Sequence, residues 1–174
     1  MRLLLAVLSI GFLSSPLSSR AEEPAKANGN PSTRATFLIT GLHCPPCTRT
    51  VESSLARING VRSAKVDWQT KTAQIEFNEK VLPAQTLAQR IAATPHMMGA
   101  GMQYGGWLAL KVPDVKNDAS AAKAKKVLGE LKGVKQVVAY AKQQSIGVQF
   151  AESGKLSTRD LIDALDKADL KATN

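Results

Sequence analysis

The chain has 174 residues, of which 44% are hydrophobic and 21% charged, with 12 Gly, 8 Pro and two Cys. This composition excludes a collagen-like, low-complexity or disulfide-framework protein. The formal charge is +9; residues 1–21 carry Arg2 and Arg20 and no acid, so setting them aside removes two positive charges and leaves +7.

Arg2 makes a positive start, Leu3 to Leu13 an apolar run, and Ser19-Arg20-Ala21 a small-x-small cleavage site before Glu22. That pattern predicts a secretory signal peptide over residues 1–21. The apolar run stops at Ser14, Ser15 and Pro16, well short of the roughly 20 residues a membrane helix needs. No Cys lies beside the cleavage site to be acylated. The mature chain is therefore expected outside the cytoplasm, secreted or periplasmic, soluble and without a transmembrane segment. Residues 22–33 are polar and read as a disordered linker.

Past the linker the chain resembles itself. Ile58-Asn59-Gly60-Val61 and Leu131-Lys132-Gly133-Val134 match at an offset of 73 residues, which also sets Phe37 on Leu110, Leu55 on Leu128, Ile75 on Val148 and Phe77 on Phe150. After a one-residue insertion, Leu82, Leu87 and Ile91 fall on Leu156, Leu161 and Leu165. Duplication accounts for this better than chance apolar agreement. In the first unit, residues 34–104, Thr36 to Thr40 reads as a strand. Pro46 to Ile58 reads as a helix with Val51, Leu55 and Ile58 at helical spacing, ended by Asn59-Gly60. Ala64, Val66 and Trp68, then Ala73, Ile75 and Phe77, alternate on two strands of a hairpin, and Leu82 to Ala93 forms a second helix. A strand near Met102 to Leu108 completes βαββαβ. The second unit, residues 105–174, repeats the order, but Lys171-Ala172-Thr173-Asn174 leaves almost nothing for its last strand. Tyr104 to Val112 is expected to serve both units. The fold class is α+β, two tandem ferredoxin-like βαββαβ sandwiches.

The two cysteines sit in Gly41-Leu42-His43-Cys44-Pro45-Pro46-Cys47, where the first strand hands over to the first helix. Thiols three positions apart at a helix start can both reach one ion. Prolines at helix entry lose no needed hydrogen bond, and the positive helix end favours thiolate. Thiolates are soft ligands, suited to Cu(I), Zn(II), Hg(II) or Cd(II). Two ligands from one loop suggest an exchangeable site, since structural zinc takes four protein ligands.

These residues resemble the heavy-metal-associated domain family of copper chaperones, metal-ATPase amino-terminal domains and the periplasmic mercury-binding protein, which carries Gly-Met-x-Cys-x-x-Cys between first strand and helix. Leu42 stands here in place of the family's Met. The helix exit Ile58-Asn59-Gly60-Val61 and the strand Ala64-Lys65-Val66-Asp67 are also similar. The resemblance implies that Cys44 and Cys47 are the metal ligands, that the cargo is one soft metal ion, with Cu(I) favoured, and that the activity is carriage rather than catalysis. It further implies a metal donor or acceptor as partner, such as a metal-transporting ATPase or a membrane transporter.

Thiol-disulfide exchange is the rival reading, because Cys-Pro-Pro-Cys also occurs in thioredoxin-like oxidoreductases and an exported protein meets oxidising conditions. His43 occupies the position before the first Cys where those motifs usually carry Trp, and the element order fits that larger fold poorly. A pure interaction module is the third reading. At the offset of 73, Asn117 and Ser120 replace Cys44 and Cys47, and oxygen donors do not substitute for soft thiolate. The second unit therefore reads as a degenerate scaffold or docking copy. Its lysines, among them Lys123, Lys125, Lys126, Lys132 and Lys135, form a solvated face or steer an acidic partner. Nucleic acid is excluded as a partner by the leader and by the absence of aromatic-basic interleaving.

Pro95-His96-Met97-Met98-Gly99-Ala100-Gly101-Met102 holds three of the four methionines and one of the two histidines. The topology puts this loop on the same sheet edge as the Cys loop. His96, Met97, Met98 and Met102 are therefore candidates for a third ligand or transfer foothold, with core filling as the alternative for the methionines. His43 is a further auxiliary candidate, by ligation or by capping.

Overall fold

A computed structural model describes residues 32–174; the expected leader and residues 22–31 of the expected linker lie outside the described residues. The elements are β1 (Thr33–Thr40), α1 (Pro45–Ala56), β2 (Val61–Asp67), β3 (Thr72–Phe77), α2 (Ala84–Ala92), β4 (Gly105–Lys111), α3 (Asp118–Gly129), β5 (Val134–Tyr140), a 3-10 turn (Ala141–Gln143), β6 (Ser145–Phe150) and α4 (Thr158–Asp166). β1 starts before the expected Thr36 because Thr33, Arg34 and Ala35 pair with Phe77, Glu76 and Ile75 of β3. α1 starts at Pro45 because proline is tolerated at the first helical position.

All six strands belong to one sheet, ordered β2-β3-β1-β4-β6-β5 and antiparallel throughout. The first half, β2-β3-β1-β4, is a complete ferredoxin-like sheet. The second half repeats the order as β5-β6-β4, and β1 stands where its own last strand would go. β4 thus serves both halves, as the sequence suggests, and so does β1. β1 covers β4 from Gly105 to Ala109. Beyond that point the chain end takes over, with an isolated bridge between Lys111 and Thr173.

Strand period sets the core. Ala35, Phe37 and Ile39 of β1, Leu108 and Leu110 of β4, Ala73, Ile75 and Phe77 of β3, and Ile146 and Val148 of β6 are all buried. Alternate residues share a face. Val51 and Leu55 of α1, Leu87 and Ile91 of α2, Ala124 and Leu128 of α3, and Leu161 and Leu165 of α4 close over them as one hydrophobic cluster. Each fully buried Leu, Ile or Phe contributes about 1.5–3 kcal/mol.

Polar contacts then tie α2 to the second half. The fully buried Gln85 donates through Nε2 to the carbonyls of Ala151 (2.9 Å) and Ser153 (2.8 Å), and its Oε1 accepts from the Leu156 N–H (3.0 Å). Glu79, ahead of α2, accepts from the Thr158 N–H at the start of α4. No helix among the described residues is long and apolar enough to cross a membrane. Replacing the fully buried Gln85 by Ala takes the side-chain partner from the Ala151 and Ser153 carbonyls and the Leu156 N–H and leaves a cavity, and the expected cost is about 2–4 kcal/mol. Urea unfolding checks this; an unchanged midpoint would show that the contacts between halves do not matter.

Candidate metal centre

Cys44 is the residue immediately before α1, in extended conformation, and Cys47 is the third residue of the helix. Their Cα atoms are 5.3 Å apart and their sulfurs are joined in a disulfide. Cys47 is fully buried and Cys44 half-buried against the core. The reduced pair expected of a metal carrier is therefore closed here, because nothing separates two side chains at these helix positions. Ligation by these two sulfurs would require the bond to be opened.

α1 has no side-chain cap and no acid in its first turn. Pro45 and Pro46 carry no N–H, which deletes two of the donors a helix start leaves unpaired. The Cys47 N–H bonds back to the Cys44 carbonyl at 3.0 Å, and the Thr48 hydroxyl donates to the Pro45 carbonyl at 2.6 Å. The partial positive charge of this end is left uncompensated and favours anionic sulfur.

The second half shows what these two positions do when they hold no thiol. Asn117, at the place of Cys44, accepts from the Ser120 N–H at 2.9 Å; Ser120, at the place of Cys47, accepts from the Asn117 N–H at 3.2 Å. This is a reciprocal capping box. The positions that brought two sulfurs together in α1 bring a cap together in α3. The sequence shows that no thiol stands there; the Asn-x-x-Ser spacing before an apolar-periodic run is the available sign of the cap.

The methionine segment does lie beside the Cys loop. The His96 Nε2–H donates to the Gly41 carbonyl at 2.9 Å, and its Nδ1 accepts from the Met98 N–H at 3.1 Å. A carbonyl only accepts and an amide only donates, so the tautomer follows from the partners. Both ring nitrogens are occupied, and His96 joins the two loops in this conformation rather than offering a lone pair to a metal. Its ring lies 5.8 Å from His43 and 4.4 Å from Tyr104, centroid to centroid. His43 is exposed, Met102 half-buried, and Met97 and Met98 are 55% and 59% exposed. Tyr104, buried with a hydroxyl that has no partner among the described residues, also belongs to this wall, and no local sequence pattern marks it. Gly41 has φ +83°, and a Cβ there would stand 2.4 Å from the Gln103 carbonyl oxygen. Only glycine lets the Cys loop approach β4 so closely.

A model of the heavy-metal-associated domain matches residues 36–96. The copper chaperone CopZ of Staphylococcus haemolyticus (strain JCSC1435) is 32% identical over 53 residues, 30% of this chain and 78% of that protein. Copper-transporting ATPase 1 of Rattus norvegicus is 34% identical over 56 residues, 32% of this chain, so the match spans only 4% of the ATPase's length. Among solved structures, the water-soluble region of the P-type ATPase CopA from Bacillus subtilis is 19% identical with a TM-score of 0.41, covering 83% of this chain and 91% of that one. The chain belongs to the heavy-metal-associated domain family.

Replacing Cys44 by Asn and Cys47 by Ser transplants the α3 cap onto α1. The expected variant is more stable than the reduced parent by about 1 kcal/mol. Thermal unfolding of the two proteins checks the sign, and a less stable variant would show that the two helix starts are not equivalent.

Proposed function

We propose that this protein is an exported, non-enzymatic carrier of one soft metal ion, Cu(I) in the first instance, held by Cys44 and Cys47 and passed on by ligand exchange. The observation that carries the reading is the placement of the chain's two cysteines at the cap and third positions of α1, 5.3 Å apart by Cα. The copper chaperone and copper ATPase relatives support copper as the cargo and a metal-transporting ATPase as a partner. The same thiolates accept Hg(II), Zn(II) and Cd(II). Metal binding requires the deprotonated thiols, so the site works from the reduced state. The second half, a degenerate copy in this reading, holds no metal and acts as the rigid backing for the first. Its exposed Lys123, Lys125, Lys126, Lys132 and Lys135 form a solvated face.

The disulfide favours a second reading, thiol-disulfide exchange with another protein. The two are separated by anaerobic competition titration of the reduced protein with Cu(I), run alongside Hg(II), Zn(II) and Cd(II), and by turnover on a disulfide substrate. The carrier reading expects one tightly held Cu(I) at the thiol pair of each reduced chain, that thiolate-bound ion lost in the Cys44→Ser, Cys47→Ser variant, and no turnover. Unchanged stoichiometry in that variant would sink it, and efficient turnover without metal binding would establish the exchange reading.

A further inference from the structure

We propose that the loop from His96 to Met102 forms a thioether site for Cu(I), built from Met97, Met98 and Met102, which stays competent while Cys44 and Cys47 are closed as a disulfide. This rests on the reading of the chain as a copper carrier and adds a second place for the ion beside the first.

The first observation is exposure. Core filling would bury these side chains, and burying a Met is worth about 1.5–3 kcal/mol. Met97 and Met98 instead stand 55% and 59% exposed at adjacent positions, so packing does not explain them.

The second is the shape of the loop. The Gly99 N–H bonds to the His96 carbonyl at 3.3 Å and the Met102 N–H to the Gly99 carbonyl at 3.2 Å. Two consecutive turns fold seven residues tightly, since each brings its first and fourth Cα within about 7 Å. Three long, unbranched thioether side chains leave this short double turn. A Cβ added at Gly99 or Gly101 would meet nothing within 4 Å, so no neighbouring element packs over the loop at these two glycines.

The third is position. His96 fastens the loop to Gly41 of the Cys loop at 2.9 Å. Its Nδ1 bond to the Met98 N–H orders the backbone between Met97 and Met98. The loop that carries the thioethers is thus fastened beside the Cys loop.

The chemistry sets the selectivity. A thioether is neutral and soft, and prefers Cu(I) to Zn(II). It forms no disulfide and needs no deprotonation. Closing the Cys44–Cys47 bond removes both thiolates but leaves three sulfur donors a loop away.

The test uses the oxidised protein, disulfide intact, with Ag(I) as a redox-inert stand-in and Cu(I) under anaerobic conditions, followed by NMR of the methionine ε-methyl groups. One equivalent of either ion is expected to shift the methyls of Met97, Met98 and Met102. Met97→Leu with Met98→Leu, both on the surface, is expected to weaken binding at least about tenfold. Unmoved methyls, or equal affinity in the Leu variant, would overturn the proposal. The thiol reading fails or stands on the reduced protein and its Cys→Ser variant, so the two results are independent.

Discussion

Two side chains meet at the start of a helix, one from the residue before it and one from its third position, and the proposed carrier function depends on that meeting. The geometry is indifferent to what it brings together. In α3 it joins Asn117 and Ser120 into a cap that stabilises the helix. In α1 it joins two sulfurs, and the helix gives up its side-chain cap. The two prolines offset part of that loss by removing donors that would otherwise need partners. The same two positions hold a cap in α3 and a sulfur pair in α1.

The rest of the fold holds that helix start in place. β1 delivers the Cys loop, and β4 beside it carries the Met segment at its entrance. Because β1 and β4 are the central pair of a six-stranded sheet, strands flank them on both sides. Gln85 and Glu79 lock the back of the first half to the second. The second half, without thiols, keeps the central pair from being a sheet edge, where exposed strands invite unwanted pairing.

Much of this was legible in the residues because it follows from period and spacing. Alternation along Ala35-Phe37-Ile39 and Ala73-Ile75-Phe77, helical spacing of Val51 and Leu55, and the offset of 73 gave the elements and the shared use of β4. The Cys motif and its family were readable for the same reason. The sharing of β1, the Gln85 contacts and the His96 bond to Gly41 were not, because each joins residues at least 55 positions apart without leaving a local pattern. His96 shows the difference most clearly. Its place beside the cysteines follows from topology, whereas its use as a strut rather than a ligand depends on which atoms occupy its two nitrogens.

Whether the two sulfurs of α1 are the metal site is tested most directly by X-ray absorption of the reduced protein loaded with one equivalent of Cu(I). The account predicts a first shell made of sulfur alone, replaced in the Cys44→Ser, Cys47→Ser variant, since both nitrogens of His96 are engaged by Gly41 and Met98. A first shell containing imidazole nitrogen, or one lacking sulfur, would contradict it.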